Sequence, residues 1–215
     1  MNYSKQILIL IITTSVLLSC KGKKAENSLI KSSVTTEEKQ ISVASNKEAI
    51  DIYTKMIFNK DSLFKYQAKI IALLDKAISN DPNNEMAYGN KANVLMKLGY
   101  YDEAKSTLKK ASNLNKNNEN FILTTAFIHE KTGDINKANL YYKKVIEIYD
   151  KKIKNNPDNI SYLTGKIFVQ NFIEGEKFAL KEINKLIEEK PENQFLLQMK
   201  TAFRNFDRKK YIDNL

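Results

Sequence analysis

A chain that matches itself at one fixed shift is committed to stacking copies of a single structural unit, and this chain does so at 34 residues. Laying 85–118 over 119–152 brings Gly99 onto Gly133, Ala104 onto Ala138, Leu108 onto Tyr142, Ala111 onto Val145 and Leu114 onto Ile148. Glycine meets glycine, and apolar meets apolar at helical spacing. Six glycines and three prolines among 215 residues leave few stops, while 42% hydrophobic residues suffice for a core. The expectation is an all-α fold in which each copy is a pair of helices, turned at Gly99 in one and at Gly133 in the next. A methyl side chain at a helix crossing lets two backbones approach closely, so Ala92, Ala104 and Ala111 are expected to be buried.

The prolines mark the seams. They stand in Asn80-Asp81-Pro82-Asn83, Asn155-Asn156-Pro157-Asp158 and Glu189-Lys190-Pro191-Glu192. Proline cannot continue a helix interior but fits a helix start, so each marks where one hairpin ends and the next begins. Pro157 and Pro191 are 34 residues apart, as are Pro82 and Lys116, whereas Lys116 and Pro157 are 41 apart. The extra seven residues are about two helical turns, so a longer helix over 135–154 keeps its buried stripe on one face.

This spacing and residue choice resemble the tetratricopeptide repeat. Tyr88, Ala92, Gly99, Ala104 and Ala111 fill its aromatic, small and glycine places, and Lys116 departs from its proline. The resemblance covers about two thirds of the chain and implies a right-handed superhelical solenoid. Four hairpins are expected, at 47–84, 85–118, 119–159 and 160–193, followed by a capping helix over 194–208 that closes the exposed end. The first is degenerate, with its turn at 59–62. In the fourth, Gly175 and Ala179 stand four apart instead of five, which leaves the register of its first helix open by one residue.

Residues 1–20 carry Lys5, then an apolar run broken by Thr13, Thr14 and Ser15, then Leu17-Leu18-Ser19-Cys20. The run is shorter than the ~20 apolar residues that span a bilayer, so it reads as a signal-peptide core over 1–19. Cys20 is the only cysteine and has no disulfide partner. The segment resembles a bacterial lipoprotein signal, which implies diacylglycerol on the Cys20 thiol and a membrane anchor there. Residues 20–46 are polar without a periodic face and are expected to form a disordered tether. No acidic run follows the cysteine, which favours the periplasmic side of the outer membrane.

The formal charge of +10 falls to +9 without the leader, because Lys5 is its one charged side chain. The lysines are spread along the chain with no basic cluster among stacking aromatics, so no nucleic-acid partner is expected. Nor is an enzyme. His129 is the only histidine and packs between helices more readily than it serves as a base, the lipoprotein resemblance implies an acylated thiol, and no phosphate loop or zinc set is present. The pairs Glu37/Glu38 and Glu188/Glu189 sit in polar runs. No cofactor, metal or small-molecule substrate is expected.

What the resemblance implies instead is a protein or peptide partner, held in a groove lined by the first helix of each hairpin. The family's groove places fall on Met86, Gly89, Asn93, Met96 and Lys97, then on Asn120, Leu123, Phe127, Glu130 and Lys131. One groove type clamps a terminal carboxylate with basic residues. Here Asn93 is kept, but Gly89, Ser161 and Gly165 occupy the basic places, so that ligand is not expected. A plainer reading of Leu123 and Phe127 is packing against the neighbouring hairpin. A permanent subunit of an envelope complex and a docking helper for a cell-wall enzyme are the alternatives to the groove adaptor.

Overall fold

The computed structural model describes residues 34–215, so the leader and Cys20 lie outside the described residues. Those residues form ten helices and no strand. In chain order they are α1 (Thr36–Met56), α2 (Lys60–Asn80), α3 (Glu85–Leu98), α4 (Tyr101–Leu114), α5 (Glu119–Lys131), α6 (Ile135–Asn155), α7 (Ile160–Glu174), α8 (Glu176–Glu189), α9 (Gln194–Arg204) and α10 (Arg208–Asp213). The first eight pair into hairpins across short turns, as the all-α expectation had it. The chain divides into two compact units, one ending at Lys116 and the other beginning at Asn117.

The 34-residue register is visible in burial. Ala104 and Ala138, Leu108 and Tyr142, and Ala111 and Val145 are all buried, as are Ala92 and its counterpart Ala126. Gly99 and Gly133 hold φ of 86° and 85°, a left-handed backbone that other residues reach only with strain. In the fourth hairpin Gly175, at φ 84°, alone forms the turn between α7 and α8. That one-residue turn accounts for the shorter interval to Ala179. The long second helix of the third hairpin runs to Asn155, one residue past expectation.

Each seam between hairpins ends on an asparagine rather than starting a helix on its proline. Asn84, Asn118, Asn159 and Asn193 are the N-caps of α3, α5, α7 and α9, and each side-chain oxygen accepts a backbone N–H of the first turn. The prolines sit two residues earlier, in the turn itself. The cap satisfies a donor that the helix cannot, which is why Lys116 can replace a proline without loss of the seam.

Two regions differ from the sequence reading. The tether assigned to 20–46 gives way at Thr36 to α1, eleven residues early. Thr35 and Glu38 form a reciprocal capping box: the Thr35 hydroxyl accepts from the Glu38 amide at 3.2 Å, and the Glu38 carboxylate accepts from the Thr35 amide at 2.7 Å. Over 36–46 the buried side chains of α1 are Ser42, Ser45 and Asn46, so no apolar stripe betrays that half, whereas Ala49, Ile52, Tyr53 and Met56 carry an apolar face over the rest. Polar partners replace the stripe: Ser42 Oγ donates to the Ala77 carbonyl at 2.7 Å, Asn84 Nδ2 donates to Ser42 Oγ at 2.8 Å, and Asn90 Nδ2 donates to Asn46 Oδ1 at 2.9 Å. The turn of this hairpin falls at 57–59 instead of 59–62, because Asn59 caps α2 by accepting from the Ser62 amide.

The second difference lies at the other end. The capping helix expected over 194–208 stops at Arg204, and after 205–207 a separate helix, α10, begins at Arg208. Asn205 Nδ2 donates to the Thr201 carbonyl and Asp207 caps the next turn, so two short polar side chains take backbone bonds that a continuous helix would need.

The unit that ends at Lys116 has Leu63, Ile70, Leu74, Val94 and Leu98 around Ala49 as its central cluster. The other unit centres on rings: Phe127, Tyr142, Phe168, Phe172, Phe206 and Tyr211 lie with centroids between 5.0 and 6.5 Å in every contacting pair. Among the described residues no helix is long and apolar enough to cross a membrane.

Candidate functional site

The groove places divide by unit. On α3, Met86 is exposed at 43%, Asn93 and Lys97 are half-buried, and Met96 is buried. Gly89 is half-buried beside them. Helix α3 thus offers Met86, Asn93 and Lys97 at its surface and keeps Met96 in the core.

On α5 the expected strip is already covered. Leu123 and Phe127 are 6% and 7% exposed, so the plainer reading of both, as packing residues, is the one the structure supports. Asn120 is half-buried, and its amide donates to the Asn118 cap at 3.0 Å. Phe127 meets Tyr142 of α6, Phe172 of α7 and Tyr211 of α10. An aromatic with rings on three sides is core, and truncating it would lower stability as well as alter a surface.

Glu130 and Lys131, the last two groove places, both reach to α10. The Glu130 carboxylate, 7% exposed, accepts from Arg208 Nε at 2.6 Å and from the Tyr142 hydroxyl at 2.6 Å. The shared carboxylate raises the Arg208 pKa, and burial followed by the Glu130 hydrogen bond pushes the Tyr142 phenol up, so both stay protonated donors. Lys131 Nζ donates to the carbonyls of Ile212 at 2.8 Å, Asp213 at 3.1 Å and Leu215 at 3.0 Å. Burial draws the Lys131 pKa down, opposed by the Asp213 charge. Three carbonyls at a helix end are what an ammonium with three protons can satisfy at once.

Of the remaining residues, Ser161 is exposed on α7. Gly165 departs from its groove place: a Cβ there would stand 2.6 Å from the Tyr149 ring of α6, so this position is a packing contact between α6 and α7. His129 stacks on Tyr141 at 5.3 Å with its Nδ1 3.7 Å from Asp134, in keeping with a packing role. Sequence reasoning missed α10, and with it Arg208 and Tyr211. The signal was the pair Asn205 and Asp207 flanking Phe206, a break and a cap ahead of an aromatic.

The tetratricopeptide repeat profile matches residues 68–126. A TPR repeat-containing protein of Methanocaldococcus jannaschii is 26% identical over 141 residues, 64% of this chain and 24% of its own length. The chain therefore spans about a quarter of that relative. Among solved structures, a thermophilic TPR protein of Thermus thermophilus is similar at 14% identity and a TM-score of 0.48, over 79% of this chain and 98% of that one. A tetratricopeptide repeat protein of Parabacteroides merdae is similar at 15% identity and a TM-score of 0.45, over 94% of this chain and 73% of that one.

Proposed function

We propose that this chain is a protein-interaction module of the bacterial envelope, anchored through a lipid on Cys20 at the periplasmic side of the outer membrane, which binds a partner segment on the first helices of its hairpins. The observation that carries the reading is that Phe127, Glu130 and Lys131 of α5 already hold a short helix as a peptide would be held, by an apolar anchor and fixed polar contacts. The match at residues 68–126 supports it, since such repeats generally mediate protein–protein interactions. On α3 the exposed Met86 beside Asn93 and Lys97 has the apolar and polar mixture of a contact surface.

The test is photo-crosslinking in cells, with the probe placed at Met86 on a first helix or at Leu140, 60% exposed on the second helix α6. Capture of one discrete protein from Met86 and not from Leu140 is expected. Capture from Leu140 alone would move the binding surface to the second helices and favour a permanent subunit. For the anchor, metabolic labelling with a fatty acid should mark the wild-type chain and be lost in Cys20→Ala; an unlabelled wild-type chain removes the lipid from the proposal.

A further inference from the structure

Helix α10 touches its surroundings much as a bound peptide would. Three non-helical residues separate it from α9, and its ring and polar contacts fall on side chains of α5 and α7 and on Phe206 of the connecting segment. At its start Arg208 pairs with Glu130, and its guanidinium carbon lies 5.9 Å from the centroid of the Phe172 ring. Three residues on, the Tyr211 ring lies 5.8 Å from Phe127, 5.8 Å from Phe168 and 5.6 Å from Phe172. Ile212 follows, buried, and Lys131 closes the far end on the last carbonyls. The fit is incomplete, for the Arg208 Nη2 nitrogen is buried with no hydrogen-bond partner.

We infer that α10 is a resident ligand, and that its seat takes the same kind of segment from a partner protein. That segment is a short helix bearing a cation, an aromatic three residues later and an apolar residue next, and it ends so that its last carbonyls reach Lys131. The inference rests on the proposed function and adds to it the chemistry of the partner. While α10 is seated the groove is closed to such a partner. Apparent affinity is then lowered by the fraction of molecules in which the seat is empty.

The probe is a fluorescent synthetic peptide of residues 206–215, titrated into the full chain. Arg208→Glu with Tyr211→Ala in the chain unseats α10, and this variant should bind the peptide at least tenfold more tightly than the wild-type chain does. A peptide carrying the same Arg208→Glu change should lose at least tenfold in turn. Equal binding by both chains, or none by either while the variant keeps the wild-type helical signal and Tm, overturns the inference. If the variant fails to fold, hydrogen exchange on the wild-type chain decides: α10 amides exchanging at least tenfold faster than those of α7 show an occupant that leaves alone, and equal rates show core. Dimerisation by exchanged α10 helices, read by sedimentation, assigns the seat to a second copy and overturns the partner. Failure here, with capture from Met86 intact, leaves the interaction module standing and removes only this assignment.

Discussion

The two units of the chain bury opposite kinds of chemistry under one repeat pattern. In the first, α1 turns Ser42, Ser45 and Asn46 inward, and the joint with α2 and α3 is made by side-chain hydrogen bonds around a cluster of aliphatics. In the second, the equivalent depth is filled by rings, with Tyr142 and Phe172 fully buried and stacked at 5.0 Å. The repeat fixes where small residues and turns must fall, and leaves the filling of the hairpins free. Hydrogen bonds make the first joint directional through donor and acceptor geometry, whereas the second draws its strength from the area that large rings bury.

The largest expected effect tests the aromatic side of this contrast. Phe172 is 1% exposed and touches five other rings, so Phe172→Ala should lower stability by about 3–5 kcal/mol in chemical denaturation. It should also release α10, which rests on that ring. A loss under 1 kcal/mol would show that the rings fill space without holding the unit.

A smaller effect is expected at the polar joint. Ser42→Ala removes the hydroxyl that receives Asn84 Nδ2 and supplies the Ala77 carbonyl, at a cost of about 1–3 kcal/mol. The result sharpens the comparison if Ser42→Ala and Asn46→Ala together cost more than the sum of the two single changes, as linked polar groups do. Strict additivity would mean that the bonds act one by one and that the joint is not a network.

The smallest effect concerns acid. The Thr35 backbone amide, and then its hydroxyl, hold the Glu38 carboxyl below the usual carboxylate range. A depressed folded pKa stabilises at pH above the ordinary value near ~4.3, and that contribution is lost as pH falls through the folded value. The protection of the amides at 37–39, relative to their intrinsic exchange at each pH, should therefore fall on acidification, with no such change at the seams, whose caps are neutral asparagines. In Glu38→Gln the acid dependence should flatten.

These effects also show what the sequence made legible. The second and third hairpins could be read to within a residue or so, because alanine and glycine are demanded at backbone contacts where nothing larger fits. The first half of α1, 36–46, could not, since its buried Ser42, Ser45 and Asn46 have the composition of a linker, and the capping box of Thr35 and Glu38 was its one signal. On α5 the groove places were identified by position, yet Leu123 and Phe127 proved buried, and Glu130 and Lys131 were committed to a segment 78 to 84 residues further along the chain. A repeat pattern reports local helix contacts, and a tail folding back across them leaves no periodic trace.

Gly165 sets a limit on how this unit can change over generations. Glycine has no smaller neighbour among the amino acids, so every substitution at 165 drives side-chain atoms into the Tyr149 ring, which already lies 2.6 Å from where a Cβ would stand. A side chain at 165 therefore requires either that the end of the Tyr149 ring moves aside or that a smaller residue stands at 149.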